Sequence, residues 1–207
     1  MLSAKELFPI LLNAYGEPRW WSDDPFIVMF QGVLVQNATW SGVEKTCAAI
    51  EAGLTPDYIK NLPTEELERL IRPCGFCKAK ARTIQSLTAW FERYGFDRQT
   101  VGGISTERLR NELLSLRGVG AETADVILVY AFYRPSFIID AYTRRFLSRL
   151  GFSFGVDISI KAYFEASLPL DARLYGRFHW LILEHCIACC KKKPMCAPCP
   201  FAGRCNL

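Results

Sequence analysis

Five of the nine cysteines in this 207-residue chain stand at its C-terminal end, at positions 189, 190, 196, 199 and 205. Six residues separate Cys189 from Cys196, two separate Cys196 from Cys199, and five separate Cys199 from Cys205, all within the proline-braced stretch "CCKKKPMCAPCPFAGRC". Four thiolates in so short a coil can wrap one centre. A zinc site, a disulfide pair, buried free thiols and an iron–sulfur cluster all use this side chain. Zinc sites more often show two Cys-x2-Cys pairs, and only one exists here, so the spacing favours a cluster; His185 is available to a zinc site, and Cys186 and Cys190 are left over. The N-terminal "MLSAKELFPILLNAYG" reads as an amphipathic helix rather than a secretory signal. The expected compartment is therefore the cytoplasm, with nucleoid association in a prokaryote, where thiols stay reduced and metal chemistry outweighs a disulfide framework.

A second constellation lies upstream. In "LLSLRGVGAETADVILVYAF" a glycine pair, Gly118 and Gly120, sits between two amphipathic runs with only a few residues for the turn. Such a helix-hairpin-helix exposes successive backbone amides at the start of its second helix, where hydrogen bonds and the helix dipole hold a phosphate. Val119 would plug the turn into its own core. Taken alone the glycine turn also fits any short helix–helix connection. Beyond it, "RPSFIIDAYTRRFLSRLG" places Asp140 between an apolar run and a helix carrying Arg144, Arg145 and Arg149. An aspartate there caps the helix. It can also place a negative charge beside a reacting sugar, and the two roles are compatible.

The elements that must position these groups all read as helix. Apolar residues recur at helical spacing in ten stretches, from "SAKELFPILLNAY" to "ARLYGRFHWLILEHC", and no alternating strand pattern appears. The expected fold class is all-α. Ser41, Thr64 and Thr106 are expected to start helices, the first two with glutamate at the third helical position as in a capping box. Gly53, Gly75, Gly95 and Gly151 are expected to close helices in the left-handed conformation. "DRQTVGGIS" reads as a loop. No apolar run is long enough to span a bilayer. A net charge of +4 is too mild to name a partner by itself.

Together, "LRGVGAETA", Asp140 and the Cys-x6-Cys-x2-Cys-x5-Cys spacing resemble the helix-hairpin-helix (HhH-GPD) DNA glycosylases of the endonuclease III type, from about Phe26 to Cys205. The resemblance implies two helical lobes with a DNA-binding cleft, one of residues 22–135 with the hairpin, the other of residues 1–21 plus 136–207 with the cysteine loop. It implies a 4Fe-4S cluster on Cys189, Cys196, Cys199 and Cys205, and double-stranded DNA with a damaged base as partner, bound by a monomer. Asp140 is the implied catalytic carboxylate. Gly118, Val119, Gly120, Ala121 and Thr123 form the implied DNA-binding hairpin, with Arg144 nearby in sequence. In "PFIVMFQGVLVQNAT", Gln36 and Asn37 take the place of the residues that fill the gap left by an extruded base. "RPCGFCKAKAR" resembles the opposite-strand loop, with Phe76 as the wedge and Lys78 and Lys80 facing phosphate.

Endonuclease III carries a Schiff-base lysine in its hairpin, where this chain has Glu122, and no lysine stands between Lys80 and Lys161. The resemblance therefore implies a monofunctional enzyme that hydrolyses the glycosidic bond without nicking the strand. Among such relatives, adenine glycosylases of the MutY type normally add a C-terminal recognition domain, which is not expected in a chain ending at its cluster. The hairpin sequence looks most like the 3-methyladenine, or alkylpurine, branch. Cationic alkylated purines attract aromatic faces. Trp20, Trp21, Trp40 and Tyr142 are candidate pocket walls beside Glu122, although any one of them also reads as a core aromatic. Oxidised-pyrimidine lyase, mismatch glycosylase and noncatalytic DNA-binding iron–sulfur protein stay open.

Overall fold

Twelve α-helices form among the described residues, which are 2–50, 53–153 and 155–206 of a computed structural model, and no strand is present among them. They are α1 Ala4–Tyr15, α2 Pro25–Leu34, α3 Trp40–Ala49, α4 Pro56–Asn61, α5 Thr64–Leu70, α6 Cys77–Glu92, α7 Arg98–Gly102, α8 Thr106–Leu114, α9 Ala121–Val126, α10 Ala141–Arg149, α11 Asp157–Ser167 and α12 Ala172–Ala188. A 3-10 turn, Arg72–Cys74, precedes α6, and a π-helical turn, Ile127–Ala131, continues α9.

Local chemistry explains most starts. Asp24, Thr39, Thr55, Asp97, Ser105, Asp140 and Asp171 each accept a hydrogen bond from a backbone N–H of the first turn they precede. The expected caps at Ser41, Thr64 and Thr106 are corrected: the chain turns earlier, at Thr39, Pro63 and Ser105, and those three residues lie inside the first turn. The reciprocal capping box occurs instead at Ser3, whose backbone N–H donates to Glu6 at 2.8 Å. Gly75, Gly95 and Gly151 have positive φ, whereas Gly53 stands beyond the end of α3, whose C-cap is Ile50; Glu51 and Ala52 of that expected stretch lie outside the described residues. The expected loop "DRQTVGGIS" contains α7, and α4 is likewise absent from the expected set. Both are too short, at 6 and 5 residues, to show a helical period.

The chain divides into two compact units, Trp21–Tyr133 and Met1–Trp20 with Arg134–Leu207. In the first, α2 packs on α6 and on the π-helical turn, burying Val28, Phe30, Val33 and Leu34 against a centre that includes Trp90 and Phe91. Each such side chain contributes roughly 1.5–3 kcal/mol when fully buried. In the second unit, α12 is the spine, with α1 and α10 on it, and Phe137 stacks on Phe164 at 4.3 Å. No helix among the described residues is long and apolar enough to cross a membrane.

Candidate functional site

The hairpin is built by α8, the turn Ser115–Gly120 and α9. Gly118 has φ +89°, and a Cβ there would lie 2.0 Å from Thr83 Oγ1, so both backbone and space demand glycine. Thr83, on α6, donates toward the carbonyl of Arg117 at 3.2 Å and so locks the turn to the helix beneath it. Val119 is buried, while Gly120 and Ala121 are exposed and the start of α9 has no side-chain cap. Exposed backbone at the start of a helix is where an anion can be held. Arg110 grips the buried carboxylate of Asp125 with bonds of 2.8 and 3.3 Å, which ties α8 to α9. This pair lies outside the expected site, although an aspartate inside the apolar run "TADVILVYAF" needs a partner.

Two loops flank the hairpin within the same unit. Gln36 donates to Thr123 Oγ1 at 2.8 Å and to the Gly118 carbonyl at 3.2 Å, so its amide secures the hairpin, and Thr123 is buried by that contact. Asn37 is the exposed tip, in left-handed backbone at φ 50°. Phe76 is also left-handed, at φ 48°, and 70% exposed, and the following Lys78 is exposed. Lys80 is different. Its ammonium is buried and donates to the carbonyls of Leu34 at 2.8 Å and Cys74 at 2.7 Å, which corrects its expected place against phosphate. It braces the two loops from below, one carbonyl preceding Asn37 and the other preceding Phe76. Burial pushes its ammonium below the ordinary lysine range, and the neighbouring Cys74 and Cys77 act the other way.

The aromatic residues divide between the units. Trp21 donates from its indole N–H to Gln31 at 2.7 Å and meets Trp40 and Tyr130 edge-on, with centroids 5.7 and 5.3 Å away. Trp40 is partly exposed, and Glu122 is exposed in the first turn of α9. In the other unit the Arg173 guanidinium covers Trp20, and that of Arg145 covers Tyr142.

Asp140 closes an extended segment that α11 pins down. Lys161 donates to Ser136 at 2.6 Å and to the Phe137 carbonyl at 3.0 Å, while Glu165 accepts the Phe137 N–H at 2.8 Å. The carboxylate is 6% exposed. Oδ1 accepts the Thr143 N–H at 2.6 Å, and Oδ2 lies 3.5 Å from His179 Nε2. Burial pushes the carboxyl up, but His179 and the Thr143 N–H outweigh it and bring the group to about 2, so it is a carboxylate at neutral pH. His179 is a site residue that the sequence motifs do not mark.

The basic residues of α10 turn largely inward to the cysteine loop. Arg145 donates to the Cys190 carbonyl at 2.8 Å, and Arg149 to the Cys190 sulfur at 3.0 Å and the Lys192 carbonyl at 3.1 Å. Arg144, expected at DNA, is ion-paired to Asp157 at 2.6 Å. The loop itself folds around a cavity of about 240 Å³ lined by Cys189, Cys196, Cys199 and Cys205, with Cys190 beside them. Burial, then neighbouring thiols, push Cys199 and Cys205 up. Tyr15 bonds to His185 Nδ1 at 2.8 Å and directs its hydroxyl to Cys189 sulfur at 3.7 Å. No group of three or more potential ligands among the described residues is gathered closely enough for a single metal ion. Four soft donors around a cavity of this size, with hydrogen-bond donors aimed at sulfur, fit a polynuclear thiolate-bound centre.

Residues 30–167 match the family described as HhH-GPD superfamily base excision DNA repair protein. The chain is 40% identical to "Putative DNA repair glycosylase MJ1434" of Methanocaldococcus jannaschii, over 97% of this chain and 94% of the relative. A structure of a non-covalent endonuclease III–DNA complex superposes with TM-score 0.79 at 27% identity, covering 100% of this chain and 96% of that one. The Helicobacter pylori 3-methyladenine DNA glycosylase bound to 1,N6-ethenoadenine shares the fold, with TM-score 0.74 at 24% identity over 88% and 96% of the two chains.

Proposed function

Because the chain belongs to the HhH-GPD superfamily of base excision DNA repair proteins, we propose that it is a monofunctional DNA glycosylase that hydrolyses the N-glycosidic bond of an everted alkylated purine. The observation that carries this reading is Asp140: a buried carboxylate, capped, oriented and held ionised, in a chain whose hairpin carries Glu122 in place of a lysine. Eversion costs a few kcal/mol of stacking. Phe76 and Asn37, exposed at the tips of braced loops, are suited to fill the vacated stack, and Lys78 to meet phosphate, while the exposed Gly120–Ala121 backbone at the start of α9 suits a phosphate.

Breaking the C1′–N bond sends its electron pair to the departing base and leaves positive charge on the sugar. The Asp140 carboxylate stabilises that charge and accepts a proton from the water whose oxygen joins C1′. A cationic alkylpurine leaves as a neutral base and needs no protonation. The partly exposed Trp40, backed by Trp21, offers an aromatic wall to such a cation, and Glu122 of the same unit offers a negative charge. A 4Fe-4S cluster would be held by Cys189, Cys196, Cys199 and Cys205, where it supplies a coordinatively closed staple that shapes the loop bearing Lys191, Lys192 and Lys193. The protein works as a monomer in the cell interior.

The test incubates wild type and Asp140→Asn with duplexes containing 3-methyladenine, an oxidised pyrimidine, adenine opposite oxidised guanine, or a thymine mismatch, and scores free base separately from strand breaks. Release of 3-methyladenine without a nick, abolished in the variant, is the expected result. Strand cleavage by wild type, or a borohydride-trapped adduct, would instead place the chain with bifunctional endonuclease III.

A further inference from the structure

Asp140 uses only one of its two oxygens to cap α10. The other oxygen is left for a second contact, which would narrow further a last side-chain torsion that is broad for a carboxylate. His179 supplies that contact. The imidazole stands on the buried face of α12, between Tyr175 and Ile182 one turn away on either side, and it is itself 5% exposed. Its Nε2 is 3.5 Å from Asp140 Oδ2. The capping bond and the imidazole therefore grip opposite oxygens of one carboxyl group.

We infer that His179 is the positioning residue of the catalytic carboxylate: it fixes the plane of Asp140 and favours its anionic form, so that the charge faces the sugar and the group stays ready to take a proton from water. Resting on the reading of Asp140 as catalytic, the role requires no contact between His179 and DNA. It resembles a catalytic dyad with the order reversed, in which the imidazole orients and the carboxylate acts. The depressed ionisation of Asp140 agrees with this arrangement, since burial alone would have raised it. Among the described residues, His179 of α12 faces the Asp140 carboxylate, and Cys186, further along α12, lies within reach of the charges of both Asp140 and Arg145. Thr143, the remaining partner, does not titrate in the working range.

The experiment uses the full-length protein and a duplex with a single 7-methylguanine, or whichever of the four lesions above wild type releases faster. Single-turnover base release is followed from pH 3 to 8.5, with spontaneous release subtracted, for wild type, His179→Phe, His179→Ala, His179→Gln and Asp140→Asn, with affinity for product duplex measured beside it. The Phe and Ala variants should lose about 100-fold at neutral pH through misplacement, and their acid limb, which in wild type lies near or below the lower end of that range, should shift up into it by about 1 to 3 pH units. Gln, which can present an amide N–H near the place of Nε2, should recover most of the neutral-pH rate. Affinity for product duplex should stay within about threefold in all of them. Should the larger ring not be accommodated, the Ala variant decides. An acid limb that does not move, or a loss equal at every pH and shared by Gln, overturns the role of His179 while leaving that of Asp140 intact. Full activity in Asp140→Asn would overturn the reading of the site itself.

Discussion

Phe76 stands 70% exposed on left-handed backbone, whereas Asp140 is 6% exposed on ordinary extended backbone with both oxygens engaged. The two regions handle polarity in opposite ways. At the loop, an apolar ring is left in water and a cation, Lys80, is buried beneath it. At the carboxylate, the charged group itself is buried and aromatic packing closes around the segment that carries it. A side chain that must enter another molecule can be strained and solvent-exposed, provided its loop is braced. One that must act by its charge is worth more in a low dielectric, provided its partners keep it ionised. Substitutions should therefore separate activity from stability at one region and couple them differently at the other.

The largest effect is expected from Asp140→Asn. Asparagine still caps a helix, so the fold should persist with unchanged far-ultraviolet circular dichroism, while base release falls by about 100- to 10,000-fold. Equal loss of helix content and activity would mean that the carboxylate matters as a cap and not as chemistry.

Lys80→Met comes next and acts on stability. It removes the donor shared by the Leu34 and Cys74 carbonyls, and leaving two buried acceptors unpaired costs about 2–4 kcal/mol. The urea midpoint should fall accordingly. Because the brace joins the bases of both loops, base release should fall as well, although the buried ammonium itself does not reach DNA. A variant that loses salt-dependent DNA affinity but keeps its midpoint would return Lys80 to the phosphate role expected from its sequence.

The carboxylate also leaves a signature in stability against pH. Asp140 is held at about 2, below its ordinary 3.8. Its contribution is therefore complete above about pH 4 and is lost as pH falls through the folded value, amounting to about 2 kcal/mol. Urea midpoints measured between pH 5 and pH 2.5 should decline more steeply in wild type than in Asp140→Asn. Parallel declines would show that other carboxylates carry the acid sensitivity.

The parts of this site that follow from spacing along the chain are legible in the sequence: the glycine pair, the cysteine ladder, and Asp140 ahead of its helix. Contacts that join distant segments are not. His179 is 39 positions from Asp140, and Gln36 reaches Thr123 across 87 residues. Lys80 is nonetheless partly readable. With Ile84, Leu87 and Phe91 it lies on the apolar stripe of α6, while Lys78 and Arg82 fall outside that stripe. Treating "KAKAR" as one basic patch obscures a lysine placed where helical geometry demands burial. The same stripe logic applies to His179, flanked by Tyr175 and Ile182 on α12. The short helices α4 and α7 offer no comparable signal.

The smallest effect, and the one that tests the loop most sharply, is the pair Phe76→Ala and Phe76→Gly. Either variant removes the proposed wedge, and loss of one stacking aromatic should slow base release about tenfold, since stacking on an aromatic is worth about 1–3 kcal/mol. Their stabilities should both stay close to wild type, for different reasons. Alanine keeps the cost of left-handed backbone, about 1 kcal/mol for a residue with a Cβ. Glycine removes it, and its extra freedom in the unfolded chain takes back a similar amount. Because the ring is largely exposed, neither change forfeits buried apolar area, so Phe76→Gly should match the wild-type urea midpoint while losing activity. A marked drop in that midpoint would mean that Phe76 belongs to the core, and that the contrast between an exposed wedge and a buried carboxylate does not hold.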